Sequence, residues 1–123
     1  MRLLVPGSNT SSLVQAASRS HYSSLMDAGV KIYEWHGQML HAKSATVDHV
    51  WSTVGSSNLD WWSIARDDEI NATILSNHFG QQMDQMFESD LSNSDPIDPE
   101  QWKSRSVFER IYETFARTIE PLL

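Results

Sequence analysis

Residues 41–58 read HAKSATVDHVWSTVGSSN, and this stretch indicates both the fold and the chemistry of the chain. Its β-branched runs, 39–47 and 50–54, predict two strands paired as a hairpin. A pattern of the form HxKxxxxD and then GSxN stands at fixed spacing within it: His41, Lys43, Asp48, Gly55, Ser56 and Asn58. Each half alone is common by chance, but the joined pattern is specific enough to predict a site.

The first half of the pattern predicts phosphodiester chemistry. Positions two apart on a strand project to the same face, so we expect His41 and Lys43 to point into one pocket. The Lys43 ammonium would offset the charge that builds on a phosphate in the transition state. A neutral His41 imidazole is nucleophilic near neutral pH and can form a covalent phosphohistidine.

The remaining pattern residues are given supporting roles. Gly55 lets the backbone approach a ligand closely, and the Ser56 hydroxyl and Asn58 amide can donate to phosphate oxygens. Asp48 has the opposite strand parity from His41 and Lys43, so we assign it to structure at a strand end. Glu69, on the next predicted strand, would bond one imidazole nitrogen and leave the other to react.

A leaving alkoxide also needs a proton, and an imidazole is the usual donor. The chain carries one copy of the motif, so we expect the complementary acid to come from another chain or another segment. His41 could then be either the covalent nucleophile or the general acid and base.

Composition excludes several other functions. The net charge of -7 argues against broad capture of nucleic acid, and zero cysteines exclude disulfides and thiolate metal sites. His36, His49 and His78 lack ligand spacing, so we predict no metal and no cofactor. No apolar run approaches the roughly 20 residues that cross a bilayer, so any membrane contact is expected to be peripheral.

The pattern of elements predicts an α/β fold with a mixed β-sheet flanked by helices. Residues 1–123 are expected to form one domain, with a core over 1–92 and a C-terminal helical extension over 99–123. We predict strands at 3–5, 30–35, 39–47, 50–54 and 69–75, one helix ending at Gly29, a helix capped by Asn77, and a loop at 92–99. Because the chain begins almost inside a strand, it is expected to be the second part of something larger.

A terminal helix is predicted from apolar residues at helical intervals, and we expect it to pack them against the domain: Phe108, Ile111, Phe115, Ile119 and Leu122. Its arginines and glutamates balance, which predicts a solvated charged face rather than a membrane-binding one. Trp51, Trp61 and Trp62 could fill the core or seat an acyl chain.

These motifs resemble the phospholipase D superfamily, whose mark is the HxKxxxxD and GSxN pattern. The phrases around them, GVKIYE at 29–34, LHAK at 40–43, GSSNLD at 55–60 and DEIN at 68–71, look like the carboxy-terminal half of bacterial cardiolipin synthases. The resemblance spans nearly the whole chain, and it implies one half of a phospholipase D-type fold.

The resemblance implies metal-independent phosphatidyl transfer, in which two phosphatidylglycerol molecules give cardiolipin and glycerol. It implies a second motif in cis or in trans, whose histidine usually supplies the nucleophile, so that His41 would be the general acid and base. It also implies a peripheral place on the cytoplasmic side of the bacterial inner membrane, with the fragment itself soluble. The alternatives are a homodimeric phosphodiesterase or nuclease, in which His41 serves both roles, and an inactive truncated remnant.

Overall fold

A computed structural model describes residues 1–7, 12–37, 40–57 and 69–119 of the chain. The chain divides into two compact units, Met1–Leu40 together with Asn93–Leu123, and His41–Ser92. The predicted α/β class is confirmed, and the described strands form two three-stranded sheets rather than the one mixed sheet that we expected. The C-terminal helices therefore belong to the same unit as the first 40 residues.

The sheet of the first unit is mixed. Strand β1 (Arg2–Pro6) pairs in parallel with β2 (Lys31–Trp35), and β2 pairs antiparallel with the short strand β6 (Ser94–Pro96). Parallel neighbours need a crossover connection, and helices α1 (Ser12–Arg19) and α2 (Tyr22–Asp27) lie within it. The predicted loop at 92–99 was thus wrong in part, since it contains β6.

The single helix predicted before Gly29 was also wrong, because the chain breaks it at Ser20. The Ser20 hydroxyl donates to the Ala17 carbonyl at 2.6 Å, and the Ser20 N–H is shared between the Ala16 and Ala17 carbonyls. Such side-chain bonds compete with the helical ladder. Gly29 has a φ of +83°, the left-handed conformation expected where a helix ends.

Trp102 is the centre of the larger core of this unit. It lies on helix α4 (Pro99–Lys103), buried with Tyr22 and Ile32, and its ring centroid is 5.2 Å from that of Tyr22. Its indole N–H donates to the Ser23 hydroxyl at 3.2 Å. The core therefore joins α2, β2 and α4, although sequence analysis did not single out Trp102.

Charged groups line this core in satisfied pairs. The Arg19 guanidinium donates twice to Glu34, at 2.9 and 2.8 Å, and this hydrogen bonding raises the pKa of Arg19 despite its partial burial. Arg105 lies over the Trp102 ring, 3.1 Å from its centroid, and pairs with Glu113. Pairing of this kind offsets the desolvation that burial imposes on each ion.

Helix α5 (Val107–Ile119) packs on α1, but not by the apolar side that we predicted. Its buried residues are Ala116 and Glu113, and Ala116 meets Ala16 and Ala17 of α1. Its described apolar side chains face solvent, with Phe108 85% exposed, whereas the Ile119 side chain and Leu122 lie outside the described part of the chain. No helix in the described part of the chain is long and apolar enough to span a membrane.

The second unit is an antiparallel meander and a helix. Strands β3 (Lys43–Val47), β4 (Trp51–Gly55) and β5 (Asn71–Leu75) lie in chain order, and helix α3 (Asn77–Leu91) contacts all three. The predicted hairpin of β3 and β4 is confirmed, although β3 and β5 begin later than predicted. The helix cap is Ser76 rather than Asn77, because the Ser76 hydroxyl accepts the Phe79 N–H at 3.3 Å.

Candidate active site

The candidate site lies at one end of the sheet of the second unit, at a row of cross-strand partners. Lys43 on β3 lies opposite Gly55 on β4, and Gly55 lies opposite Asn71 on β5. Partners in an antiparallel sheet share a face, so Lys43 and Asn71 flank Gly55 on one side. Strands lie about 4.8 Å apart, so the backbones of β3 and β5 are separated by roughly 10 Å on either side of Gly55.

The other face of the sheet supplies the support. The row Thr46, Ser52 and Ile74 alternates with the site row, and Ser52 is fully buried. Because α3 contacts all three strands, we assign this buried row to the face under the helix. The opposite face, which carries Lys43 and Asn71, therefore points away from α3.

His41 and Lys43 converge, as the two-residue spacing predicts. His41 lies just before β3 and is exposed, and the Lys43 ammonium is 2.9 Å from its Nδ1 and 3.0 Å from its Nε2. The ammonium also donates to the His41 carbonyl at 3.2 Å. An ammonium only donates and a neutral imidazole has one accepting nitrogen, so at most one of these two contacts is a hydrogen bond.

That contact has a chemical meaning. An imidazole and an ammonium within 3.0 Å of each other can both reach the oxygens and phosphorus of a single phosphate ester. The ammonium can exchange its bond to the ring for one to a non-bridging oxygen, which frees the ring nitrogen to attack or to take a proton. The catalytic roles of both residues remain predictions.

Ser56 is tied to the backbone before β5. Its N–H donates to the Ile70 carbonyl at 3.0 Å, and its hydroxyl accepts the Ile70 N–H at 3.1 Å. The hydroxyl also lies 3.4 Å from the Ile70 carbonyl as a donor. In this conformation it anchors the loop after β4, and donation to a phosphate would require it to turn.

Asn71 is a site residue to which sequence analysis gave no role. Its side-chain oxygen accepts the Ser57 N–H at 3.3 Å, and it lies where a Cβ at Gly55 would be. The signal was present in the alternation of 69–75, which puts Asn71 on the same face as Glu69. Asn71 and Ile70 together hold the Gly55-Ser56-Ser57 backbone from β5.

Glu69 does not reach the imidazole in this structure. It is half-buried and lies two residues before β5, and within the described residues its carboxylate makes no hydrogen bond or ion pair. Its predicted role as the orienting carboxylate stays a prediction. Asn58, Trp61 and Trp62 lie outside the described residues.

Asp48 lies in the turn between β3 and β4, at the far end of β3 from Lys43. Asp48 and His49 have φ angles of +53° and +57°, a left-handed conformation that Asp and His tolerate better than most residues. The structural role that we gave Asp48 stays a prediction. The predicted pattern thus divides into a site end, at His41 and Lys43, and a turn end.

His49 carries the clearest electrostatic perturbation of this unit. Its ring nitrogen Nδ1 bonds the Asp84 carboxylate of α3, and this hydrogen bond, with the charge of Asp84, raises the pKa of His49. The pair fastens the turn to the helix. Across the residues that the structure describes, no cluster of three or more histidine or acidic side chains could hold a metal ion.

Comparison with known proteins identifies relatives of the chain. Residues 1–91 match the sequence model of a family described as cardiolipin synthase, PLD-like domain. Cardiolipin synthase A of Buchnera aphidicola subsp. Baizongia pistaciae is 38% identical over 121 residues, which cover 98% of this chain and 25% of that protein. Cardiolipin synthase A from Yersinia pseudotuberculosis and from Yersinia pestis is 37% identical over the same lengths.

The chain therefore spans about a quarter of the length of the curated relatives that it matches. No solved structure gives a significant match.

Proposed function

The chain belongs to the PLD-like domain family of cardiolipin synthase, and on this premise we propose that it serves phosphatidyl transfer, in which two phosphatidylglycerol molecules give cardiolipin and glycerol. The observation that supports the proposal is the contact of the Lys43 ammonium with the His41 ring, at 2.9 and 3.0 Å. It joins a proton-transferring or nucleophilic group to a fixed positive charge at an exposed edge of a sheet.

The reaction needs two imidazoles in two displacements. In the first, one imidazole nitrogen attacks phosphorus, the bond from phosphorus to the glycerol oxygen breaks, and the second imidazole gives that oxygen a proton. In the second, the hydroxyl of another phosphatidylglycerol attacks the phosphohistidine and loses its proton to the second imidazole. The histidine is then released, and cardiolipin carries the new phosphodiester.

We assign His41 to the acid and base role when a second motif supplies the nucleophile. Lys43 keeps its charge throughout and stabilises the negative charge on the non-bridging oxygens in both displacements. The family resemblance favours this assignment. The contact with Lys43 supports it as well, because it places a cation beside the ring that exchanges the proton.

The second imidazole is proposed to come from a separate half of the enzyme, in cis or in trans. One motif occurs in this chain, and the chain spans about a quarter of the length of its relatives. Two copies of this chain are the other possible source.

The test is turnover of radiolabelled phosphatidylglycerol by the chain together with the amino-terminal half of a related synthase. We expect labelled cardiolipin from wild type, and a loss of about 100-fold or more for His41→Ala, since general acid–base catalysis contributes that much. Lys43→Gln should lose a similar factor, because it removes the charge but keeps most of the side chain. His78→Gln, an exposed histidine on α3, is the matched control and should turn over as wild type.

Three outcomes would decide against the proposal. Cardiolipin formation that is unchanged in His41→Ala would exclude the site, and no product with any added half would exclude the activity. Phosphodiesterase activity of the chain alone, rising with the square of its concentration at low concentration, would identify a shared site between two copies instead.

A further inference from the structure

Helix α5 exposes a continuous apolar face. Four of its side chains are more than half exposed although all are large and apolar: Val107 (66%), Phe108 (85%), Ile111 (61%) and Phe115 (59%). Residues three and four apart share one side of a helix, so these four form one stripe. We call this stripe, with the Arg110 and Arg117 side chains described below, the α5 face.

The helix packs on the protein by the side opposite to the stripe. Among the side chains that the structure describes on this helix, Glu113 and Ala116 are buried, and both lie on the side away from the stripe. Ala116 packs on the alanines of α1, and Glu113 pairs with Arg105. Core packing therefore does not use the apolar side, which is unusual for an amphipathic helix of a globular unit.

Charge on α5 is distributed unevenly once these contacts are made. Glu113 is neutralised by Arg105, and Glu109 is turned toward the first residue before the helix, where its carboxylate accepts the Ser106 N–H at 3.1 Å. Arg110 and Arg117 are exposed, and in the described part of the chain neither guanidinium makes an ion pair. Being seven residues apart, they lie on the same side of the helix.

Arg110 borders the apolar stripe directly. An open groove along the helix is lined by Val107, Arg110, Ile111, Thr114, Phe115 and Thr118. The 13-residue helix is about 20 Å long, and it combines aromatic and aliphatic side chains with cations at one margin. The balance of arginine and glutamate in the sequence includes Arg105 and Glu113, which pair with each other, and Glu109, which bonds the backbone before the helix.

We infer that the α5 face docks on an anionic phospholipid surface, with the helix lying in the plane of the interface. Apolar side chains of an interfacial helix enter the acyl boundary, and arginine stems reach back to the headgroups. A protein partner would have to supply a carboxylate for each of two arginines that make no ion pair within the described residues, whereas an anionic bilayer satisfies both charges at once. The inference rests on the proposed function for its choice of lipid, since the substrate proposed there is an anionic phospholipid.

The experiment measures binding of the full chain to vesicles by flotation. One set contains phosphatidylglycerol and phosphatidylcholine in equal parts, and the other contains phosphatidylcholine alone. We expect binding to the first set, weakened by added salt. The double variant Arg110→Gln/Arg117→Gln should bind roughly 30-fold more weakly, from two basic residues near the surface.

A second pair tests the apolar part of the face. Phe108→Ser/Phe115→Ser should weaken binding by about tenfold or more, since less apolar area is removed from water. Both phenylalanines are exposed, so the variant should fold, which circular dichroism would verify. Leu75→Ser on β5 is the matched control, because Leu75 is 75% exposed outside the α5 face, and its binding should equal that of wild type.

His41→Ala separates this inference from the proposed function. It should float with vesicles as wild type does even if it has lost turnover, and equal flotation of an inactive chain would support the inference alone. Flotation that is equal in all variants, or no flotation, would overturn it. So would dimerisation seen by sedimentation velocity and abolished by Phe108→Ser/Phe115→Ser without any vesicle binding, because the face would then be a protein interface.

Discussion

Gly55 and Asn71 are cross-strand partners, and the Asn71 side-chain oxygen occupies the space that a Cβ at Gly55 would take. The same oxygen accepts the Ser57 N–H at 3.3 Å. The missing side chain of Gly55 thus allows β5 to hold the loop that follows β4. This gives the glycine of the motif a reason in packing.

Gly55→Ala should lower the free energy of unfolding by about 1–3 kcal/mol, the usual range for an overpacked site. The added methyl meets the Ile70 carbonyl as well as the Asn71 amide, and the strand pairing holds both in place. Urea unfolding measures the effect. Adding Asn71→Ala should recover part of the loss, and strict additivity of the two changes would contradict the packing argument.

Ser56→Ala should cost about 1 kcal/mol of stability, because its hydroxyl satisfies the Ile70 N–H at 3.1 Å. If the hydroxyl chiefly anchors the loop after β4, Ser56→Ala should lower the affinity of the protein for inorganic phosphate less than Lys43→Gln does. Isothermal titration with phosphate and thermal unfolding of the same samples provide both readouts. A phosphate affinity that falls as far in Ser56→Ala as in Lys43→Gln, with unchanged stability, would make Ser56 a ligand instead.

The sequence predicted the second unit better than the first because its strands are consecutive in the chain. The β3 and β4 hairpin follows from alternation and a short polar turn, and it brings His41 and Lys43 together without help from distant residues. The short strand β6 has no such local signal. It exists because Ser94 and Pro96 meet Trp35 and Tyr33 of β2, a pairing that spans some 60 residues.

The orientation of α5 was predicted wrongly, and it shows a second limit of prediction from sequence. Periodicity correctly placed an apolar stripe along α5, but it cannot say which side of a helix is covered. The side of α5 that packs against the unit is the one where Ala116 contacts α1 and Glu113 pairs with Arg105. Small residues and ion pairs make contacts that a search for large apolar side chains does not find.

The pair of His49 and Asp84 should make stability depend on pH. The pKa of His49 is raised in the folded state by its hydrogen bond to Asp84, so its stabilisation is complete below about pH 6.5, the value of a free histidine. It is lost as the pH rises through the raised pKa, and the free energy of unfolding should fall over that window.

Asp84→Asn tests this dependence directly. The pKa of His49, followed by proton NMR, should fall in the variant, and the difference in unfolding free energy between wild type and variant should shrink as the pH rises. Gln81→Ala, at an exposed and uncharged position of the same helix, should leave the pH profile unchanged. A wild-type advantage that grows with pH would contradict the sign of the coupling.

Trp102 and Phe108 are aromatic residues on successive helices with opposite environments, and their truncation should separate core packing from surface exposure. Trp102 is 7% exposed and contacts Tyr22 and Arg105, whereas Phe108 is 85% exposed. Trp102→Ala should cost about 3–5 kcal/mol, since it opens a cavity and leaves Arg105 without its ring. Phe108→Ala should change stability by no more than about 0.5 kcal/mol. Denaturant unfolding of both variants measures this, and a large loss in Phe108→Ala would mean that α5 packs by its apolar side after all.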